Sequence, residues 1–346
     1  MVGNNVTIKI GDNINKVLRM LKKTFPAGFI LVCISAILSF SNPAFADVYP
    51  NRPIRLIIPF APGGVTDIGG RYIASQLSIK LGQQVIVENK SGASGNIGAA
   101  FVAQAEPDGY TLLLGFDGTL VINPNIFDKI PFDTLKDFSA VAKIGDAALI
   151  LVANNDFPGK TVSDVVSISK KDPNGLSYAT SGTGVTPHIA GELLKQKTGA
   201  NLTPIPYKSG GQALIGLMSG DVPLAFTVLA GANQYVQTGR LKPIAVSSKT
   251  RVASLPNVPT FIEAGYPDIK VTSWIGVLAP AKTPKSIVTS LNTAINEILQ
   301  TPEAKEKLNA IGITPTPTTP EKFAEQIKLD LNLFGQIVKT AGIRAE

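Results

Sequence analysis

The segment from Ile54 to Asp67 constrains the fold most, because it combines the patterns of a buried strand, a glycine turn and a helix start. Gly63 and Gly64 let the backbone approach a ligand closely. The first amides of the following helix lack intrahelical partners and lie at the positive end of its dipole. Such a junction favours a negatively charged small molecule, although a purely structural turn is an open alternative.

Two later segments repeat this order of strand, glycine turn and helix, at residues 91–98 and 180–188. In the first, the glycines are spaced three residues apart, which departs from the dinucleotide-binding fingerprint, and the chain contains no Gly-Lys-Ser/Thr phosphate loop. In the second, the hydroxyls of Ser181 and Thr183 join the free amides. We therefore expect no nucleotide site, and leave open whether residues 180–188 bind an anion.

The first 46 residues have the pattern of an export signal. Basic residues precede an apolar run, Phe25–Phe40, and Ser41–Ala46 ends with Ala at the minus-three and minus-one positions. The run is roughly 16 residues long, shorter than the ~20 that a membrane-spanning helix needs. We expect cleavage after Ala46 and a mature protein in the periplasm; an uncleaved N-terminal anchor is the alternative.

Composition excludes several classes of protein. The only cysteine, Cys33, lies in the export segment, so the rest can form no disulfide and has no cysteine nucleophile. The net charge is +7 for the whole chain but only +3 for residues 47–346, and no basic run with interleaved aromatics indicates nucleic acid binding. Aliphatic runs alternating with helical patterns predict an α/β fold with a largely parallel sheet, and the length suggests two lobes.

The hydrophobic pattern also places individual elements. The first helix is expected to end at Gly82 and to bury a face made of Val65, Ile68, Tyr72, Leu77 and Leu81. Two helices are expected near the C-terminus, one with an apolar stripe of Ile287, Leu291, Ile295 and Ile298 and one with a stripe of Phe323, Ile327, Leu331 and Phe334. A stiff connector at 314–320 would join them. Strands are predicted at 54–60, 84–88, 110–116, 147–153, 176–180, 202–207, 222–228, 243–247 and 273–278.

Catalytic interpretations find little support in the sequence. His188 is the only histidine, so a histidine-based metal cluster is excluded, and a Ser-His-Asp arrangement would have to use this residue at the apolar start of a helix. A structural histidine is the favoured interpretation. Carboxylates are scattered without the spacing of an acid/base pair, and Trp274 is expected in the core. We expect no cofactor and no catalytic residues.

The mature chain resembles the substrate-binding proteins of tripartite tricarboxylate transporters, the Bug-type receptors. The resemblance is carried by ordered blocks over residues 47–346: Pro59, Phe60, Gly63, Gly64, Asp67 and Arg71; Gly95–Gly98; Pro107–Leu112; Ile122–Pro124; Lys136–Phe138; Ser181–Gly184 with His188; Pro206–Lys208; Leu255–Gly265; and Trp274 with Ala279–Pro280. The first block and Leu255–Gly265 are the most specific.

The resemblance implies a two-lobed periplasmic-binding-protein fold (type II), with two α/β domains joined by crossing hinge strands. Lobe 1 would comprise residues 47–146 and 272–346, and lobe 2 residues 147–271. Ligand carboxylates would be held largely by loop amides and hydroxyls. The expected ligand-binding residues are Phe60, Ala61, Pro62, Gly63, Gly64, Val65, Asp67, Gly92, Ala93, Ser94, Asp117, Thr119, Ser181, Gly182, Thr183, Gly184, Tyr207 and Thr227.

Two departures from the family pattern bear on the ligand. Asp117 stands in a segment that is rich in serine or threonine in many relatives, and an unpaired carboxylate there would repel a second ligand carboxylate. This predicts a ligand with one carboxylate and another polar or aromatic group, with dicarboxylates as the rival. Thr227 stands where relatives commonly carry an aspartate, so the lobe 2 wall is expected to differ.

The expected function is a solute receptor, a monomer that closes around a carboxylate and delivers it to separate membrane permease subunits. Tyr207 and Lys208 would face the cleft or form a solvated edge. Two alternatives stay open: a ligand-sensing module for a membrane signalling partner, and an exported hydrolase using Ser181 or Ser94, which lacks a convincing base.

Overall fold

The computed structural model describes residues 49–344. The expected signal peptide and its cleavage position lie outside the described residues. Strands and helices alternate through most of the described chain, which confirms the α/β class.

The strands are β1 (Ile54–Ile58), β2 (Val85–Asn89), β3 (Thr111–Phe116), β4 (Phe138–Ala153), β5 (Leu176–Thr180), β6 (Leu202–Pro206), β7 (Leu224–Val228), β8 (Lys242–Val246), β9 (Thr272–Pro280) and β10 (Thr314–Pro315). The helices are α1 (Val65–Leu81), α2 (Asn96–Ala103), α3 (Asn123–Ile126), α4 (Val162–Lys171), α5 (Thr186–Thr198), α6 (Gly210–Ser219), α7 (Leu229–Gln237), α8 (Lys285–Gln300), α9 (Pro302–Ala310) and α10 (Pro320–Ala341). A 3-10 turn covers Ala93–Gly95, and a π-helical turn covers Gly118–Ile122.

Two groups of parallel strands are joined by antiparallel strands. The order is β2-β1-β3-β9-β4-β7-β5-β6; β2, β1 and β3 are mutually parallel, as are β7, β5 and β6. Strand β4 pairs with β9 up to Ala148 and with β7 from Leu149 onward, so it runs from one group into the other. The proposed lobe boundaries, 146/147 and 271/272, stay a prediction.

Strand β4 is longer than the sequence suggested. It begins at Phe138 rather than at Ala147, because its first half pairs with β9 although Lys143, Gly145 and Asp146 interrupt its hydrophobic pattern. Lys143 is nonetheless buried, and its ammonium pairs with Asp146 at 2.6 Å and contacts Gln326 of α10 at 2.9 Å. These two partners, one three positions along β4 and one in α10, satisfy a charge that would otherwise be unfavourable inside a sheet.

Helix α1 ends at Gly82 as expected, but its predicted buried face is correct only in its second half, where Leu77 is buried and Tyr72 and Leu81 pack against the core. Val65 and Ile68 are 40% and 46% exposed. In place of these two residues, the first half of the helix buries Gly69, Gly70 and Ile73. A Cβ at Gly70 would lie 2.5 Å from the Leu114 side chain, so the helix approaches the sheet through a glycine.

The C-terminal part packs as its apolar stripes predicted. Helices α8 and α10 bury most residues of their expected stripes, while Ile287 and Leu331 are half-buried. Trp274 of β9 is fully buried, and its ring centroid lies 5.1 Å from that of Phe323. The connector at 314–320 includes the short strand β10, which pairs with β4. Helix α9, which the pattern did not predict, lies between the two long helices.

Candidate functional site

The expected ligand-binding residues follow the carboxyl ends of the parallel strands. Residues 60–65 follow β1, residues 92–94 follow β2, and residues 181–184 follow β5. Open α/β sheets bind ligands at this edge, in the crevice where the strand order changes direction. The topology therefore places the glycine junctions of each strand group at the edge best suited to a ligand.

The loop after β1 is shaped by Asp67. The Asp67 carboxylate accepts hydrogen bonds from the Gly63 amide at 3.0 Å, from Arg71 Nε at 3.0 Å and from the Asn89 side-chain amide at 2.8 Å. The same Asn89 amide donates to the Phe60 carbonyl at 2.9 Å. Asp67 is 3% exposed, whereas residues 61–65 are exposed, so it orders a loop whose backbone faces solvent.

Two opposing effects act on the Asp67 carboxyl. Burial acts to raise its pKa, but hydrogen bonds from Arg71, Asn89 and Gly63 outweigh it and hold the pKa below its ordinary value. Asp67 is therefore ionised at neutral pH and neutralises Arg71. The positive potential available to an anion in this loop comes mainly from backbone dipoles.

The start of α1 is open. Gly64 precedes the helix in an extended conformation, and no side chain caps the first turn. The amides of Val65 and Thr66 have no intrahelical acceptor because they belong to that turn. With Val65 40% exposed, these donors can reach an anionic ligand group.

The loop after β2 has an unusual backbone. Four consecutive residues have positive φ: Gly92 (131°), Ala93 (45°), Ser94 (53°) and Gly95 (91°). For Ala93 and Ser94 this conformation costs of order 1 kcal/mol each and persists only where the surroundings impose it. Thr119 Oγ1 imposes it in part, by donating to the Ser94 carbonyl at 2.9 Å.

A second donor supports the same turn. The Asn123 side-chain amide donates to the Ser94 carbonyl at 3.0 Å and to Asn96 Oδ1 at 2.7 Å. Thr119 is 1% exposed, so the structure places its hydroxyl behind the loop rather than at its surface. Gly92, Ala93 and Ser94 are exposed, as a ligand-contacting loop requires.

Asp117 lies where the two strand groups meet. Its carboxylate accepts hydrogen bonds from Ser273 Oγ at 2.6 Å and from Thr186 Oγ1 at 2.7 Å, and its side chain is fully buried. Burial raises the pKa of Asp117 to about 7, although these hydrogen bonds oppose the rise. Neither oxygen faces solvent in this conformation, unlike the free carboxylate that the sequence suggested.

The loop after β5 has two internal supports. The Gly182 amide donates to Thr180 Oγ1 at 3.1 Å, and the Gly184 amide donates to His188 Nδ1 at 3.0 Å. Gly184 has a φ of 70°, and a Cβ there would lie 2.5 Å from Ile126 of α3. Thr183 is exposed and Ser181 half-buried, so their polar groups are available to a ligand.

The remaining expected residues lie near the start of α6. A Cβ at Gly210 would be 3.6 Å from Thr227 Oγ1 and 3.9 Å from Ser181 Cβ, so residues that follow β5 and β6 converge there with the end of β7. Thr227 is 4% exposed, and Tyr207 is half-buried, with its ring packed on Gly216. Lys208 is exposed.

Sequence reasoning missed the residues that support the loops from behind. Asn89, Asn123, Thr186 and Ser273 are partners of the expected site residues. None was expected to act at the site, although Asn123 lies in the family block Ile122–Pro124 and Thr186 in the junction at 180–188. A strand-end asparagine is the one local signal that could have identified Asn89, because its amide can satisfy a neighbouring turn.

Other kinds of site find little support in residues 49–344. No group of three or more His, Cys, Asp or Glu side chains in this part could hold a metal ion. No helix there has both the length and the apolar character to cross a membrane. A groove of about 720 Å³ between α3 and α10 is lined by none of the expected ligand-binding residues.

Known proteins resemble this chain over most of its length. Residues 70–343 match the family model described as the tripartite tricarboxylate transporter family receptor. The curated protein BugT of Bordetella pertussis is 35% identical over 303 residues, which cover 87% of this chain and 93% of that protein.

Several solved structures are also similar to this chain over most of its length. A Rhodopseudomonas palustris protein with adipate is 35% identical, with a TM-score of 0.74, and the match covers 86% of this chain and 99% of that one. MatC from Rhodopseudomonas palustris with bound malate is 30% identical, with a TM-score of 0.70, covering 84% and 100%. These matches confirm the two-lobed periplasmic-binding-protein fold expected from the sequence.

Proposed function

The chain belongs to the tripartite tricarboxylate transporter receptor family, and from that premise we propose that it captures a small organic carboxylate in the cleft between its two lobes and delivers it to a membrane permease. The observation that carries this proposal is the position of the glycine loops. They follow the carboxyl ends of parallel strands in both groups, with exposed backbone beside an uncapped helix start. Backbone amides arranged in this way bind carboxylates without a buried cationic side chain.

The ligand would be held from two sides. Residues 60–65 and 92–94 would supply amides from lobe 1, and Ser181, Thr183 and the neighbouring amides would supply donors from lobe 2. Asp67 and Thr119 would act indirectly, because their polar groups already bond to the loops. Tyr207 and Thr227 would form the lobe 2 wall.

We propose that the ligand class includes dicarboxylates. Relatives 35% and 30% identical were solved with adipate and with malate, both of which carry two carboxylates. The sequence had suggested that Asp117 repels a second carboxylate. That argument weakens because both Asp117 oxygens accept hydrogen bonds from Thr186 and Ser273 inside the protein.

The proposed delivery of the ligand to the permease depends on closure of the two lobes around it. A ligand that contacts both lobes binds the closed state more tightly than the open state and therefore shifts the population towards closure. The closed form would present to the permease a surface that the open form lacks. We place the mature protein in the periplasm, because residues 1–46 have the pattern of an export signal and matched structures are of periplasmic proteins.

The experiment is a thermal-shift screen of residues 47–346 against mono-, di- and tricarboxylates, aromatic acids and amino acids, followed by calorimetry. A ligand at 100 times its Kd stabilises the fold by about 2.7 kcal/mol, which such a screen detects. We expect one carboxylate class to stand out. No shift across the panel would contradict the proposal.

Two further outcomes separate the alternatives. Hydrolysis of esters or amides that is lost in Ser181→Ala would support an enzyme, although the only histidine already accepts a hydrogen bond from Gly184. Carboxylate binding without uptake in cells that carry the permease genes would favour a sensing partner.

A further inference from the structure

We infer that His188 is a positioning residue that holds the loop 181–184 in its ligand-binding shape and releases it when the imidazole is protonated. This inference rests on the proposed function, because it assigns 181–184 to the ligand. It goes further by naming the residue that controls the loop and the condition under which control is lost.

The hydrogen bond defines which form of His188 is required. The Gly184 amide donates to Nδ1 at 3.0 Å, so Nδ1 must carry a lone pair. Protonated imidazole has an N–H on both nitrogens and cannot accept this bond. Protonation would therefore place two donors against each other beside a glycine held at φ 70°.

The surroundings of the imidazole together lower its pKa and so favour its neutral form. Burial lowers the pKa of His188; Glu192 acts to raise it, and Lys195 lowers it further. Glu192 Oε1 lies 4.0 Å from Nε2 and is itself paired with Lys195 at 3.0 Å and with the Tyr178 hydroxyl at 3.3 Å. His188, Glu192 and Lys195 line a surface pocket together with Arg344. Asp117 accepts a hydrogen bond from Thr186, which lies two positions before His188 in the chain.

The geometry predicts a graded consequence for binding. At neutral pH the bond between Gly184 and His188 orders the loop before the ligand arrives, so little conformational entropy is lost on binding. Loss of one such bond weakens binding by about fivefold, since a net hydrogen bond is worth roughly 1 kcal/mol.

A matched pair of variants tests this role. In His188→Asn, Oδ1 occupies the position of Nδ1 and can accept from Gly184, but it does not titrate. In His188→Gln, the side-chain oxygen lies further from the backbone and the acceptor is misplaced. We expect Kd for adipate at pH 7.5 to stay within about twofold of wild type in His188→Asn and to rise about fivefold in His188→Gln.

Hydrogen exchange of the Gly184 amide provides a readout that needs no ligand. His188 is the only histidine, so its proton NMR signals in tag-free protein report its titration directly. In wild type, we expect Gly184 protection to fall as His188 protonates below its ordinary pKa. In His188→Asn, protection should be independent of this titration, and any remaining pH dependence would belong to Asp117, which bonds to Thr186.

The outcomes separate the two proposals. Two results would overturn the positioning role: Gly184 protection that does not change through the His188 titration, or equal adipate affinity in wild type and His188→Gln. If His188→Gln fails to fold, the exchange measurement on the wild-type protein still decides. Absence of binding to every acid in the screen would instead count against the proposed function.

Discussion

Thr186 Oγ1 donates a hydrogen bond to Asp117 Oδ2 at 2.7 Å and thereby joins the first residue of α5 to the residue that follows β3. The two residues are 69 positions apart in the chain. Ser273 of β9 donates to the other oxygen, so one buried carboxylate connects both strand groups and a strand that runs between them. Its protonation state therefore affects how these elements hold together.

Asp117→Asn should flatten the pH dependence of stability. Because the folded-state pKa of about 7 lies above the ordinary 3.8, the folded state binds the proton more tightly than the unfolded state. The Asp117 contribution is thus fully present below pH 4 and is lost as the pH rises through 7, in total roughly 4 kcal/mol at 1.36 kcal/mol per unit. Urea unfolding between pH 4.5 and 8 measures it.

Asparagine is a conservative probe because it keeps one acceptor and can donate to the second hydroxyl. An Asp117→Asn protein whose stability falls with pH as steeply as wild type would show that the transition belongs to another group.

Asp67→Ala should destabilise the fold and weaken carboxylate binding together. The substitution removes the acceptor of the Gly63 amide and one of the two acceptors of the Asn89 side-chain amide, and it leaves Arg71 unneutralised. The expected loss is about 2 kcal/mol of unfolding free energy, as for other buried polar groups that lose a partner. Denaturant unfolding and calorimetry measure the two effects.

Asp156→Ala is the matched control, since Asp156 is an exposed aspartate and does not take part in the hydrogen bonds that hold the loop around Asp67. If both variants behave alike, Asp67 does not order the loop.

Gly95→Ala should be markedly more destabilising than Gly239→Ala. Both glycines have positive φ, 91° and 71°, so each substitution carries a backbone cost of about 1 kcal/mol. Only at Gly95 would the new methyl group also overlap the Thr119 hydroxyl, which supports Ser94. Thermal unfolding of both variants measures the difference, and equal losses would mean that Thr119 moves aside freely.

Ligand binding should make the protein more compact. A carboxylate that contacts loops on both lobes favours the closed arrangement, and residues 61–64 and 92–94 are exposed in the structure described. Small-angle scattering with and without a saturating hit from the screen measures the radius of gyration. An unchanged radius at saturation counts against hinge closure.

Much of the fold could be predicted from the chain because its signals are local. Aliphatic runs and glycine turns placed the strands at 54–60 and 176–180 within two residues of β1 and β5, and Gly82 ends α1 in the left-handed conformation that only glycine adopts easily. The junctions that carry the candidate site were visible for the same reason.

Hydrophobic periodicity could not identify a helix face that packs through glycines, or a buried charge whose partner lies far away in the chain. Helix α1 buries Gly69 and Gly70 rather than Val65 and Ile68, because glycine permits an approach that larger residues would block. The first half of β4 contains Lys143, whose hydrogen-bond partner Gln326 is 183 positions away. Neither feature has a signal in its own neighbourhood of the chain.

The sequence by itself determined the α/β class, the three glycine junctions and the family resemblance, because backbone freedom and hydrophobic period act over a few residues. Only the tertiary structure decided what the polar residues do. It surrounds Asp117 with hydroxyls from Thr186 and Ser273, and it turns Asp67 and Thr119 into supports for loops. The physical reason is that buried polar groups must find partners, and here those partners come from elements far apart in the chain.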